Sequence, residues 1–473
     1  MFIPVISVDL RGSLVVAFQP VQHLSHCSRL QHGLVNRLPL EPVRVEKSQT
    51  ALTGETIMSP RPVLVVLLVA CLWLPACNRG PLPTATPTPA PTAPPSPPAT
   101  APVPSFQPEP ITITVCADDC DFASIQAAID DDSTADDEII TVMDPVHTEA
   151  GISVSKNLTI QGLGAGRTVV QAHADMEQAT DRVFLIPAGT KAEIKGMTIR
   201  HGHPPEHQQS AQSGGGVANY GDLLLESCVI RDNSANDGGG IFNHGTMTIR
   251  RCAISGNLGD RVAEPGYECG SGGGIKSGFQ ATLVMEQCAV HGNVALGKGG
   301  GIFIACEGTA RMANCTVSGN HAERDGGGVY VKGMLDMSLC TIAGNRTEQQ
   351  GGGLLVRSQA NLTGNLLSGN EHGDLILGGP GDYRGRGALS ANSYNWIADG
   401  SHEAAFSGDP MLGPLTDNGG DTLTHALLPD SPAVDTVPAP ACSIAFDQCG
   451  QPRPVQVGSG QPTCDIGAFE SQH

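Results

Sequence analysis

The residues best equipped for chemistry in this chain are its histidines, aspartates and cysteines. His201, His203 and His207 fall in the run His-Gly-His-Pro-Pro-Glu-His, three imidazoles and a carboxylate. That donor set suits a transition metal. Pro204 and Pro205 prevent its presentation on one helix face, so the stretch reads as a solvated polar loop. The acidic runs Asp118-Asp119, Asp130-Asp131-Asp132 and Asp136-Asp137-Glu138 lack the Gly and Glu spacing of a calcium loop and read as exposed. Arg324, Asp325 and Lys332 are outward charges that nothing marks above ordinary solvated residues.

The chain carries 15 cysteines. Cys228, Cys252, Cys288, Cys315 and Cys340 recur once per repeat on the apolar side of a strand and read as small core residues in a stacked file. A zinc site would want paired Cys-x2-Cys spacing instead. Cys116 and Cys120 flank a short turn and are candidates to pair. Cys269 and Cys306 flank successive repeats and could bridge them. Cys442, Cys449 and Cys464 would give one pair and one spare thiol. No catalytic or cofactor-binding residue is assigned and no cofactor is expected. The acidic balance is compatible with Ca2+ without signalling it specifically.

The elements that position these residues are set by a repeat. Glycine triplets start at Gly214, Gly238, Gly272, Gly299, Gly326 and Gly351, at intervals of 24 to 34 residues. Such a period marks a solenoid whose units bury their apolar faces against one another. Inside each unit apolar residues alternate, as in Leu223 and Leu225 before Cys228, or Met247 and Ile249 before Cys252. Period-2 alternation means a strand with one buried face. A second strand starts after a bend of one extra residue, and a third follows each glycine triplet. Three short strands and no hairpin signals predict an all-β, single-stranded right-handed parallel β-helix.

Each second strand closes on Asn233, Asn257, Asn293, Asn320, Asn345 or Asn370. Asparagine tolerates left-handed backbone, and one per coil at one corner predicts a stacked amide ladder. The glycine triplets are expected at corners that need positive φ and no Cβ. Upstream, Asp121 is expected to cap a short helix over 122–130 that covers the end of the solenoid.

Composition restricts the partners. A net charge of −20 excludes nucleic acid, which needs clustered Lys and Arg. Aromatics make up 4% of the chain, a scarcity that removes the stacking platforms of a sugar-binding surface.

Residues 58–77 have a short apolar run ending in Leu74-Pro75-Ala76-Cys77, which resembles the lipobox of bacterial lipoproteins, with Cys77 as the lipidated residue in preference to the rival Leu68-Val69-Ala70-Cys71, which leaves too short an apolar run before it. That resemblance implies export and attachment to a membrane through an N-terminal lipid, on the extracytoplasmic side or cell surface. Residues 1–57 are then a leader outside the fold, and 78–110 a Pro/Thr-rich extended spacer.

Residues 122–130 followed by Lys156-Asn157-Leu158-Thr159-Ile160-Gln161-Gly162 resemble the opening of pectin-lyase-like β-helix proteins. The Gly-Gly-Gly-Ile and Ser-Gly-Asn units resemble repeats of bacterial surface β-helices, including the chlamydial polymorphic outer-membrane family. The tail motifs from Gly408 to Gly420, from Thr424 to Asp435 and Cys464-Asp465-Ile466-Gly467-Ala468-Phe469-Glu470 resemble the choice-of-anchor Q domain. Together they imply a β-helix over 111–383 and an anchor-Q-like region over 384–473 capping it, with the lipobox supplying the anchor. The fold implies possible polysaccharide chemistry. However, the Asn-Thr-Asp and Arg-Ile-Lys signatures of polygalacturonases and the Asp-Phe-Ile-Phe-Gly of pectin methylesterases are missing. The expectation is therefore a binding or adhesive surface protein, toward polysaccharide or another surface protein. A polysaccharide lyase or glycoside hydrolase is the alternative.

Overall fold

The computed structural model describes residues 112–204, 213–260, 270–378, 387–442, 444–455 and 461–472, with the backbone of strands Phe2–Val8 and Leu14–Pro20. Cys77, His207 and Cys269 lie outside the described residues, as do the expected signal peptide and spacer. The chain divides into two units, residues 1–31 with 109–473, and residues 32–108. Strands Phe2–Val8 and Leu14–Pro20 pair antiparallel, within the residues expected to form a leader outside the fold.

From Thr112 onward, successive coils lay short strands into three long parallel sheets of 11, 10 and 9 strands, with a shorter parallel sheet of five two-residue strands between the second and the third. The first sheet runs from Thr112–Val115 to Ala388–Ser393, the second from Val146–Thr148 to Trp396–Ile397, the third from Ile152–Ser153 to Leu375–Leu377. Equivalent residues one coil apart face each other: Leu223 meets Met247, Ile230 meets Ile254, Val217 meets Ile241. The inward residues of all three sheets merge into one core in which Leu223, Leu225, Ile230, Ile241, Ile249 and Ile254 are fully buried. This is a parallel β-helix, built as the alternation requires.

Three of the bends in every repeat coil carry one left-handed residue each. Ser227, Arg251, Gln287, Asn314, Leu339 and Gly364 occupy the first, the extra residue that resets strand parity. Asp232, Gly256, Gly292, Gly319, Gly344 and Gly369 occupy the second, immediately before the asparagines. The first glycine of each triplet takes the third, at φ from 60° to 71°. The expectation of positive φ throughout the triplets holds for that glycine, and the other two have a different reason to lack Cβ. A Cβ on Gly300 would sit 2.4 Å from the Gly327 and His321 carbonyls. One on Gly301 would meet Gly328 O at 2.7 Å and the Asn320 amide at 3.0 Å. The middle glycine lets coils stack, and the last makes room for the amide ladder.

The N-terminal helix is Ile125–Asp130, shorter than expected, and its cap is Ser124 rather than Asp121. Ser124 Oγ accepts from Ala127 N at 3.1 Å, while Asp121 accepts from the backbone and hydroxyl of Thr114. Glu149 accepts from Ile125 N at 2.7 Å and Gln126 N at 2.9 Å, satisfying two donors that the first helical turn leaves open. Ile125, Ala128 and Ile129 point into the core beneath the first coil.

The coil continues past the boundary expected at 383. Ala388–Ser393 pairs with Gln359–Thr363, and Trp396–Ile397 with Leu366–Leu367. The tail beyond Ile397 lies along the outer side of the second sheet. Gln287 Nε2 donates to Asp447 O, Asn314 Nδ2 to Phe446 O and Thr316 Oγ1 to Gln448 Oε1. Thr341 Oγ1 accepts from Ala468 N. Leu339, Leu366 and Trp396 share a second apolar cluster with Leu427, Val437 and Ile466 of this tail. Residues 384–473, expected to cap the helix, are thus one more coil with a cover along a flank.

Candidate functional site

The six asparagines form one continuous ladder. Each donates its Nδ2 to Oδ1 of the next: Asn233 to Asn257 at 3.0 Å, then Asn257 to Asn293, Asn293 to Asn320, Asn320 to Asn345 and Asn345 to Asn370 at 2.9 Å each. The ladder ends on Asp374, whose Oδ1 accepts from Asn370 Nδ2 at 2.8 Å. These residues are structural, and their amides are spent.

The five file cysteines are free, buried and in line. They do more than fill apolar volume. Each thiol donates to the carbonyl two residues back, at 3.3 Å for Cys228, 3.1 Å for Cys252, 3.2 Å for Cys288 and Cys315, and 3.3 Å for Cys340. Burial pushes the thiols of Cys252, Cys288 and Cys315 well above the usual thiol range, which leaves them unreactive. Cys116–Cys120 and Cys442–Cys464 are disulfides with Cα atoms 5.5 and 6.2 Å apart, and Cys449 is a buried free thiol. Cys306 is disulfide-bonded; its expected partner Cys269 lies outside the described residues.

The other candidates disperse. His201 Nδ1 contacts His173 O at 3.0 Å, and His203 Nε2 lies 3.8 Å from Asp260. Among the described residues no three His, Cys, Asp or Glu side chains are grouped to hold a metal ion. Asp325 departs from the expected solvated residue: it is buried, 3.4 Å from Lys298 and 3.9 Å from Arg357.

The tail motifs are locks. Arg453 Nε lies 3.1 Å from Glu470 Oε2, with the two side chains 0% and 1% exposed. Burial pushes the Glu470 carboxyl up to about 8 despite the attraction of Arg453, and burial raises Asp447 and Asp465 as well. Burial lowers the pKa of His425, which sits between Ser318 Oγ at 2.9 Å and Gly413 O at 2.7 Å. These shifted groups are committed to fastening the tail.

The described surface is nevertheless indented where the third sheet turns into the first. Small residues stack at that corner: Thr190, Gly221, Gly245 and Ala281 meet through the bonds Asp222 N to Thr190 O, Thr246 N to Gly221 O and Thr282 N to Gly245 O. A Cβ on Gly245 would lie 2.1 Å from Gly221 O, so no side chain can fill this corner. The result is an open trough of about 380 Å³ across three coils, lined by Gly189, Lys191, Tyr220, Asp222, Gly245 and Thr246. Lys191 and Asp222 also border a smaller hollow of about 150 Å³ with Glu193, Thr248 and Arg250 on the first sheet.

Beneath the trough lies a second amide ladder that sequence reasoning missed. Asn219 Nδ2 donates to Asn243 Oδ1 at 2.9 Å, and Asn243 Nδ2 to Ser277 Oγ at 3.4 Å. Each oxygen also accepts from the glycine two residues on, Gly221 at 3.1 Å and Gly245 at 3.2 Å, which fixes the turn. Above it three rings meet: Tyr220 lies 6.0 Å from Phe242 and 5.9 Å from His244, and Phe242 stacks on His244 at 6.1 Å. Aromatics are scarce in the chain, yet here they converge, against the expectation that no stacking platform exists. The available signal was the echo of Asn219-Tyr220-Gly221 in Asn243-His244-Gly245.

Among solved structures, the chain is similar to the pectate lyase Pel9A (12% identity, 73% of this chain and 90% of that one, TM-score 0.42). It is also similar to a pectin methylesterase from carrot (12%, 64% and 87%, 0.35) and to the A-module of the mannuronan C-5 epimerase AlgE4 of Azotobacter vinelandii (14%, 58% and 83%, 0.32). No curated protein sequence matches. Residues 177–334 match the family model described as a right handed beta helix region, and the fold is a right-handed parallel β-helix.

Proposed function

We propose that this chain is an exported, lipid-anchored β-helix that binds a polysaccharide in the trough beside Tyr220. The observation that carries the reading is the trough's shape: it is open and crosses three coils, so it fits a run of an extended polymer better than an enclosed small molecule. An aromatic face with an ammonium, a carboxylate and a hydroxyl around it is a chemically sufficient set for sugar rings and their hydroxyls. Glu470 and His425, whose protonation burial shifts, are by contrast engaged in holding the tail. Export and anchoring rest on the lipobox-like Leu74-Pro75-Ala76-Cys77 and the Pro/Thr spacer behind it.

Two measurements test this. Cys77→Ser should move the protein from the membrane fraction to the soluble one; continued membrane association would remove the anchor from the reading. The full-length protein should be retained by at least one polysaccharide without degrading it. Release of unsaturated or reducing ends on incubation with uronate polymers and calcium would replace binding by lyase or hydrolase activity.

A further inference from the structure

We infer that the glycan of this trough is uncharged, an inference that rests on the trough being the binding site. The first argument is local. Lys191 and Asp222 face each other in adjacent strands, so the cation and the carboxylate that border both hollows offset one another. The other cations nearby are engaged: Arg250 Nε lies 2.9 Å from Glu286, and Lys195 lies 2.6 Å from Glu193 and 3.8 Å from Glu226. A chain bearing a carboxylate on every ring would bring like charge against Asp222 and Glu193 without a free cluster of cations to receive it.

The second argument is global. The protein carries a net charge of −20, which repels polyanions at long range and slows their approach. Nothing comparable opposes a neutral chain.

The third concerns what the trough offers. Tyr220 is half-buried, flanked by the Phe242 and His244 rings, and the turn that carries it is fixed by the Asn219 side chain through Gly221 N. It is a pre-positioned ring, so little side-chain entropy is lost when a sugar's apolar face lies on it. Thr246, Asp222 and Lys191 supply hydroxyl, acceptor and donor at the rim. At roughly 4.8 Å per coil, three coils span roughly 10 Å, room for a disaccharide unit of a longer chain.

The test is affinity electrophoresis of the full-length protein in gels holding a neutral glucan, a neutral mannan, polygalacturonate or chitosan. The expected result is retardation by a neutral polymer, unchanged between low and high salt. Tyr220→Ala should weaken it about tenfold, and Lys191→Ala, at an exposed site that leaves the fold untouched, should weaken it less. Preference for polygalacturonate or chitosan, lost with salt, overturns the inference while leaving the trough as a glycan site. Retention by no polymer, or neutral retention indifferent to both substitutions in folded protein, overturns the trough itself.

Discussion

Cys340 donates its backbone N–H to Asn365 Oδ1 at 2.9 Å, the point where a file of thiols becomes a file of amides. One coil earlier the same donor, on Cys315, points at Cys340 Sγ at 3.4 Å. One coil later Asn365 donates its N–H to Asn395 Oδ1 at 2.9 Å and its Nδ2 to Met337 O at 2.9 Å. Thiol and amide therefore do the same work at this corner: each accepts from the coil before it and donates to a backbone carbonyl.

Cys340→Asn should accordingly be tolerated, because the new amide extends the file that begins at Asn365. Cys340→Val should be worse although it is the more apolar change. It leaves the Cys315 N–H and the Ser338 carbonyl without side-chain partners at a fully buried position, a loss of about 1–3 kcal/mol. Thermal unfolding of the two variants decides: a valine variant at least as stable as the asparagine variant would mean that the file is apolar packing alone.

The glycines separate two physical reasons for the same residue. Gly319 has φ 62° and open space around its missing Cβ, so Gly319→Ala carries only the left-handed penalty of about 1 kcal/mol. Gly300 lacks positive φ, but its Cβ would lie 2.4 Å from two carbonyls of the neighbouring coil. Gly300→Ala should therefore force the coils apart and cost several times more, as overpacked cores do. Urea unfolding of both variants checks the order; equal losses would contradict the steric account.

The winding was legible because each coil repeats the same pattern, so Ile230, Ile254 and Val290 announce one another across the repeats. Asn233 through Asn370 and Cys228 through Cys340 were legible for the same reason. The trough was not, because it depends on an absence of side chains. Gly221 and Gly245 are ordinary turn glycines in sequence, and only stacking turns them into the floor of a groove. Nor could Asp325 be recognised as buried, since Lys298 and Arg357 reach it from other coils. The flank cover was hidden too: Arg453 meets Asn314, and Ala468 meets Thr341, only after more than a hundred intervening residues have coiled back. Long-range meetings of single residues leave no period to read.

The buried end of the tail should make the protein less stable as pH rises. Glu470 has a folded-state value of about 8, pushed up by burial, against an ordinary value of 4.5. Its Oε1 is buried with no hydrogen-bond partner among the described residues, which disfavours the charged form. Below about pH 4.5 both folded and unfolded chains hold this proton. Between there and about 8 the unfolded chain releases it first, so the unfolded state gains and stability falls. Asp447 and Asp465 are also raised by burial and add in the same direction. Histidines titrate in the same range, so the informative quantity is the difference between the wild type and Glu470→Gln, which cannot ionise. The wild type should lose up to a few kcal/mol more than the variant between pH 5 and pH 8. Denaturant unfolding across that range measures it. Parallel curves, or a wild type that gains relative to the variant with rising pH, would mean that Glu470 is ionised in the folded protein and that Arg453 holds it as a true salt bridge.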